Sequence, residues 1–443
     1  MHVKNIPQVL ATELQSLRQH IQSGLDAEAL ARRSGFLRRC PRKIPMPDFL
    51  LALVALAAES YLTLERVAAI VALATRLSYS KQALHKRLTP AIESFLAQCA
   101  TALFGQLPEA RVRWRGLLTP FRRVLLHDST IQTLPEHLAG LFPGSRNHRK
   151  RFAALKIQFI TDLLSAQALH LSLSGFTRND QAAALDILEV AQPGDLIIRD
   201  LGYFVLRAFR WIAEIGAFFV SRCRPDLTCY DPRTGAPLNL VAELRRCGRL
   251  DREVWLGSEK LPVRLVALPV PEAVANERRR QARQNRDRRS PPSARRLFLL
   301  GWTLLITNVP RSVWPAKVLA AIYRLRWRIE MIFKAWKSHL GLRQFYCRSA
   351  KVLRLSVMTK LLFCVLVYRC CQSLELTCGR ARQHISLQRL ARIMAACACW
   401  IEAFLLRVSP ERLWKHSLAA HVFYEPRSDR KNFCELFAQL ATL

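Results

Sequence analysis

LIIRDLGYF, residues 196 to 204, reads as a short buried strand that ends on an acid. An apolar run followed by Arg199 and Asp200, then by Gly202, marks a strand passing into a turn. VLLHDST, residues 124 to 130, has the same form and carries Asp128 behind another apolar run. An ionised carboxylate in such a place is costly unless it is paired or bound to a metal. Both aspartates are therefore candidates for chemistry.

Outward from these two stretches the texture stays strand-like. AALKIQFITDLLS (153 to 165), ALHLSLSG (168 to 175) and GAFFVSRC (216 to 223) are further buried strands. Helices fit NDQAAALDILEVAQ (179 to 192) and VLRAFRWIAEIG (205 to 216). Strands followed by alternating strand and helix predict an α/β fold, a mixed sheet covered by helices. Residues 226 to 296 break the rhythm and read as an inserted antiparallel segment followed by a mobile basic loop. Nine arginines lie between Arg278 and Arg296, a density that resists packing and suits phosphate contacts, although a solvated linker would look similar. A buried strand returns at FLLGWTLLITNV (298 to 309), and a helix follows from about Trp314.

That helix carries YRLRWRIEMIFKAWK, residues 323 to 337, with one acid, Glu330, among many cations. On a continuous helix at about 100° per residue, Tyr323, Arg326, Lys334 and Lys337 all fall within roughly 40° of Glu330. Ile322, Leu325, Ile329, Ile332, Phe333 and Trp336 make an adjoining apolar stripe. A solvated ladder of Arg326 and Lys334 about Glu330 is the plain reading of that face. Two strand-borne aspartates upstream favour another: three carboxylates for two-metal phosphoryl transfer, with Arg326 and Lys337 gripping phosphates rather than the metals.

Charge agrees with such a substrate. The 443-residue chain has 68 Lys plus Arg against 33 Asp plus Glu, a formal charge of +35, while 51% apolar residues leave ample material for more than one core. A polyanion is the expected partner, nucleic acid ahead of an anionic membrane surface. The apolar runs at 49 to 58 and 361 to 368 are too short to cross a bilayer, and the first residues lack the pattern of a secretory signal. A cytoplasmic, nucleoid-associated protein is expected. The 13 cysteines are scattered through apolar segments without zinc spacing, so buried reduced thiols are expected.

Both ends read as helical. Within the first, TLERVAAIVALATRLSYSKQALHKRL (63 to 88) resembles a helix-turn-helix, with Ser80 as N-cap and Lys81, Lys86 and Arg87 on the following helix. An amphipathic helix with a solvated basic face is an equal reading.

The order Asp128, Asp200, Glu330, with Tyr323, Arg326, Glu330 and Lys337 at fixed spacing, resembles the DDE transposases of bacterial insertion sequences, specifically the insertion sequence four group with its Y-R-E-K signature. The likeness covers roughly residues 115 to 345. It implies a ribonuclease-H-like mixed sheet with flanking helices, interrupted by a β-rich insertion. The implied domains are an N-terminal helical DNA-binding domain over 1 to 115, core over 116 to 225, insertion and basic loop over 226 to 296, core again over 297 to 345, and a C-terminal helical domain over 346 to 443. It also implies two Mg²⁺ or Mn²⁺ ions held by Asp128, Asp200 and Glu330, a homodimer on double-stranded DNA, cleavage at element ends and transfer to a target. Some relatives flip a base onto a tryptophan of the insertion, a part that falls to Trp302 here, with Trp255 second. The family often has a basic residue after its second aspartate, where this chain has Leu201, which puts one phosphate contact in doubt. The alternatives are a decayed relative that binds DNA without catalysis, and a nuclease of the same fold that never joins ends.

Overall fold

The structure is a computed structural model that describes residues 6–38, 44–59, 62–75, 77, 79–104, 116–147, 150–284, 291–343, 345, 349–378 and 385–413. Among the described residues, α-helices come first: α1 Ile6–Gln19, continued by a π-helical turn His20–Gly24, then α2 Ala27–Arg33, α3 Met46–Leu56, α4 Leu64–Thr75, α5 Lys81–Arg87 and α6 Ile92–Leu103. Strands β1 Val124–Leu134, β2 Pro143–Asn147, β3 Lys150–Asp162, β4 Ala168–Gly175 and β5 Leu196–Arg199 follow, then α7 Leu206–Glu214 and β6 Phe218–Arg222. Next are β7 Cys229–Tyr230, α8 Leu240–Cys247, β8 Leu250–Leu256, β9 Leu261–Pro269, α9 Glu272–Gln284, α10 Ala294–Leu299 and β10 Trp302–Thr307. Helices α11 Ala316–Tyr323, α12 Trp327–Ser338, α13 Ala350–Cys378, α14 Leu387–Ala396 and α15 Ala398–Leu406 are the last of the described elements.

These elements fall into two compact units, Phe104–Ala335 and the paired ends Met1–Leu103 with Trp336–Leu443. In the first, ten strands share one sheet in the order β2-β3-β1-β5-β6-β10-β9-β8-β7, with β4 also on β3. Strands β1, β5 and β6 are parallel, while β3 and β4 are antiparallel to their neighbours. The run β4-β3-β1-β5-β6 is the ribonuclease-H-like mixed sheet that the resemblance implies. The inserted strands pair antiparallel and join that sheet through β10, so one core continues from Leu125 and Ile197 to Val263 and Leu265.

Buried polar anchors set where the aspartate-bearing strands begin. Asp162 Oδ1 accepts from the backbone N–H groups of Val124 at 3.1 Å and Leu164 at 3.2 Å, and Oδ2 accepts from the Ser165 hydroxyl at 2.6 Å. Asp195, fully buried just ahead of β5, takes a two-pronged bond from Arg123 at 3.0 and 2.5 Å. Such a fork satisfies both charges in a place where water cannot. Further along, Arg264 binds both oxygens of Asp251 at 2.8 Å and donates to the Trp314 carbonyl at 2.7 Å, tying β9 to the segment that leads into α11.

In the helical unit, α13 is buried nearly all round, from Leu353 to Leu374. An apolar helix without a wet face belongs inside a bundle, and among the described residues no helix is long and apolar enough to cross a membrane. Ion pairs join its first and last parts: Arg354 to Glu93, and Arg66 to Glu402 at 2.6 Å. Six of the nine described free cysteines are buried; Cys247 and Cys399 are exposed and Cys397 is half-buried.

Four expectations need correction. NDQAAALDILEVAQ is not an α-helix but a string of turns with a short 3₁₀ segment at Asp186–Glu189. One of its carbonyls is claimed by a tertiary partner, since Ala184 O accepts from buried Arg199, while Asn179 Oδ1 makes a local turn by accepting from the Ala182 N–H at 2.8 Å. The arginine-rich stretch is not a loop throughout, because α9 runs to Gln284, braced by Arg280 on Glu277 and Arg279 on Glu272; residues 285 to 290 lie outside the described residues. Phe298 and Leu299 close helix α10 rather than open a strand, which starts only at Trp302. Residues 323 to 337 are not one helix, since a 3₁₀ turn at Arg324–Arg326 separates α11 from α12.

Candidate active site

Strands β1 and β5 pair in parallel with His127 opposite Arg199, so the next residues, Asp128 and Asp200, emerge side by side. Asp200 stands at the start of the 3₁₀ turn Leu201–Tyr203. Glu330 comes from the first turn of α12, which packs on the sheet through Phe333 against Phe159 and through buried Ile329 and Ile332.

Arg326 brings the three acids to one group. Its Nη2 donates to Glu330 Oε1 at 2.6 Å, Nη1 lies 3.6 Å from Asp128 Oδ2, and Nε lies 3.9 Å from Asp200 Oδ1. Only the first is a hydrogen bond; the others are ion pairs across a small gap. The guanidinium side chain is 15% exposed, against 38% for Asp200. The Tyr323 hydroxyl donates to Asp200 Oδ1 at 3.3 Å.

Electrostatics follow from that crowding. Burial pushes the Asp128 carboxyl up to about 7, with Asp200 and Asp180 adding to the rise, while the Ser129 N–H and Arg326 oppose it. Burial would lower the Arg326 guanidinium, but Asp200, Tyr323 and Glu330 outweigh it and hold its pKa above the ordinary value. Burial raises the Tyr323 phenol, and the neighbouring Asp200 charge raises it further. Lys337 is lowered by burial and then by Arg343.

The remaining residues singled out in the sequence lie elsewhere. Lys334 is exposed on α12, one turn past Glu330, and Lys337 is half-buried near the end of that helix. Trp302 packs against the core and the Phe298 ring at 6.1 Å. Trp255 lies under the Lys260 ammonium at 5.5 Å. Leu201 packs against the same core, so the position after the second aspartate lends no charge. In the helical unit, Ser80 caps α5 by accepting from the Ala83 N–H at 3.2 Å, Lys86 and Arg87 are exposed, and Lys81 pairs with Glu65 at 3.0 Å.

Sequence reasoning missed the back of the sheet. Arg199 is fully buried and donates to His127 Nδ1 at 3.0 Å and to the Ala184 carbonyl. His127 is held well below its ordinary pKa by burial and then by Arg199, so this pair carries one charge, not two. The Tyr203 ring lies tilted against His127, with 4.1 Å between centroids, and its hydroxyl donates to Gln158 Oε1 at 2.6 Å. A signal was present: each aspartate follows a basic residue, and the two-residue period of a strand sends that residue to the opposite face. Asp180 carried no such mark, because Asn-Asp ahead of an alanine run looks like the start of a helix.

A family model described as a transposase DDE domain matches residues 119–366, more than half of the chain. The chain belongs to the DDE transposase family. It is similar to the transposase for insertion sequence element IS231B of Bacillus thuringiensis subsp. berliner, 29% identical over 334 residues and 70% of each chain. It is also similar to the transposase for insertion sequence element IS1151 of Clostridium perfringens, 25% identical over 286 residues and 60% of each. A solved piggyBac transposase synaptic complex with hairpin DNA aligns over 96% of this chain and 87% of that one, at a TM-score of 0.43 and 9% identity, a likeness too loose to bear on the site.

This transposase is thus a DNA-cleaving and DNA-joining enzyme, and its family implies dependence on divalent metal. The donor chemistry suits such an ion, since three carboxylates offer the oxygen ligands that hard Mg²⁺ or Mn²⁺ prefers, while here one guanidinium faces all of them. Among the described residues no three His, Cys, Asp or Glu side chains stand close enough together to hold an ion between them. The shared cation of these three is Arg326.

Proposed function

We propose that Asp128, Asp200 and Glu330 are the catalytic triad, holding two Mg²⁺ or Mn²⁺ ions, and that the enzyme cleaves the terminal inverted repeats of its element and joins them to target DNA. The ions, when bound, activate the attacking oxygen and stabilise the leaving one in phosphoryl transfer. The protein's own groups do the rest. Tyr323 orients Asp200 through its hydroxyl. Arg326 neutralises the carboxylates and, turned outward, grips a phosphate beside the scissile bond, joined by Lys334 and Lys337. Trp302 receives a flipped base, with Trp255 the second candidate.

Lys81, Lys86 and Arg87 contact the duplex from the N-terminal domain, residues 1 to 115. The C-terminal domain, 346 to 443, supports a homodimer on DNA. The insertion, 226 to 296, divides the core segments 116 to 225 and 297 to 345. Work on chromosomal DNA would place the protein in the cytoplasm at the nucleoid.

A single observation supports this reading most: side chains from three separate elements, far apart in sequence, face one guanidinium. Incubation with the repeats that flank the gene, a target plasmid and Mg²⁺ tests it. Metal-dependent end cleavage with joined product is the expected result. Repeat binding without nicking would leave a DNA-binding relative, and nicking without joining would leave a nuclease.

A further inference from the structure

Asp180 is a fourth carboxylate near the triad, and its partners lie across the sheet from Asp128. In the register of β1 against β3, strand alternation turns Ser129, Gln158 and Lys156 to the face opposite Asp128. There the Ser129 hydroxyl donates to Asp180 Oδ1 at 2.8 Å, and the Lys156 ammonium, on a side chain only 5% exposed, donates to the same oxygen at 3.0 Å. The other oxygen, Oδ2, faces Gly202: a Cβ added there would stand 3.2 Å from it. Glycine at 202 therefore permits the turn after Asp200 to rest on Asp180.

Each contact leads to one member of the triad. Ser129 is the residue after Asp128, and its backbone N–H donates to Asp128 Oδ1 at 2.8 Å. Gly202 lies two residues past Asp200, inside the 3₁₀ turn that Asp200 opens. One carboxylate thus binds the immediate neighbour of the first aspartate and stands close beside the turn behind the second, where only a residue without a Cβ leaves it room. A plain ion pair with Lys156 would need neither contact.

We propose that Asp180 is a positioning residue of the transposase: it fixes Asp128 through Ser129 and Asp200 through the Gly202 turn, with Lys156 as its counter-ion, and so sets the spacing at which the two aspartates take up metal. This rests on the triad reading above. Outer groups that orient metal ligands typically contribute about 10- to 100-fold in metal affinity or activity.

The test measures Mn²⁺ affinity of the enzyme bound to an end duplex, by the electron paramagnetic resonance of free Mn²⁺, beside the metal concentration for half-maximal end cleavage. Asp180→Ala alone strands the buried Lys156 charge and could fail to fold, so it is paired with Asp180→Ala/Lys156→Met, which removes both charges and keeps the stem. The double variant is expected to keep its melting temperature and end binding while Mn²⁺ binding and half-saturation worsen by about tenfold or more. Asp180→Asn, which keeps the acceptor for Ser129, is expected to recover most of that loss. Wild-type Mn²⁺ affinity in the double variant, or an Asn variant no better than the double, would overturn the proposal. Asp128→Ala serves as the control that separates the two claims: if it retains cleavage, the triad reading fails, and if it is inactive while the Asp180 variants behave as wild type, only this inference fails.

Discussion

The two faces of β1 and β5 solve opposite problems with adjacent residues on each strand. On the front, Asp128 and Asp200 are partly open to solvent and share one arginine through two ion pairs longer than hydrogen bonds. On the back, His127 and Arg199 are sealed from solvent and joined by a direct bond, with Ala184, Tyr203 and Gln158 closing around them. The front pairs are longer than hydrogen bonds and partly exposed, whereas on the back the Arg199–His127 and Tyr203–Gln158 bonds lie where water cannot replace them, so breaking either is costly. A metal-dependent centre needs both, ligands able to receive an ion and strands that do not shift when it arrives.

Substitutions on each face should separate these roles. The largest effect is expected at the front: Asp128→Ala, Asp200→Ala or Glu330→Ala should lower end cleavage at least about a thousandfold, equivalent to ~4 kcal/mol of transition-state stabilisation. Gel assays of cleavage beside mobility shifts of end binding would show it, with binding retained. At the back, Arg199→Ala should instead cost about 2 to 4 kcal/mol of folding stability in urea titrations, because it leaves His127 and the Ala184 carbonyl unpaired in a close-packed core.

A smaller and pH-dependent difference should come from Asp128 itself. Its folded pKa, raised from 3.8 to about 7 chiefly by burial, means that the folded chain holds a proton there that the unfolded chain releases. The stability linked to it is full below about pH 4 and lost as pH rises through about 7. Melting curves in a metal chelator should therefore fall with pH across this window, and Asp128→Asn should flatten them. The smallest effect is expected away from both faces, where Lys86→Ala should weaken duplex binding alike for all sequences and reduce its salt slope by about one unit.

Several parts of the site were legible before any fold was known. Apolar runs ending on Asp128 and Asp200 identified both strands, and the spacing from Tyr323 to Lys337 identified the helix with its acid. Helical arithmetic across residues 323 to 337 overreached, since the turn at Arg324–Arg326 tightens there and Arg326 points at the carboxylates. The stretch from Asn179 to Gln192 misled for another reason: its alanines favour a helix locally, but a buried arginine claims one of its carbonyls.

By itself the sequence determined the strand and helix stretches that carry the three acids, the polyanion-seeking charge and the family, because hydrophobic period and residue spacing are properties of the chain read locally. Only the tertiary structure decided that Arg326 faces all three carboxylates and that Asp180 backs two of them. Those contacts join residues far apart in the chain, as between Asp180 and Gly202 or Asp128 and Arg326, and no local pattern encodes which distant polar groups will meet once the sheet has formed.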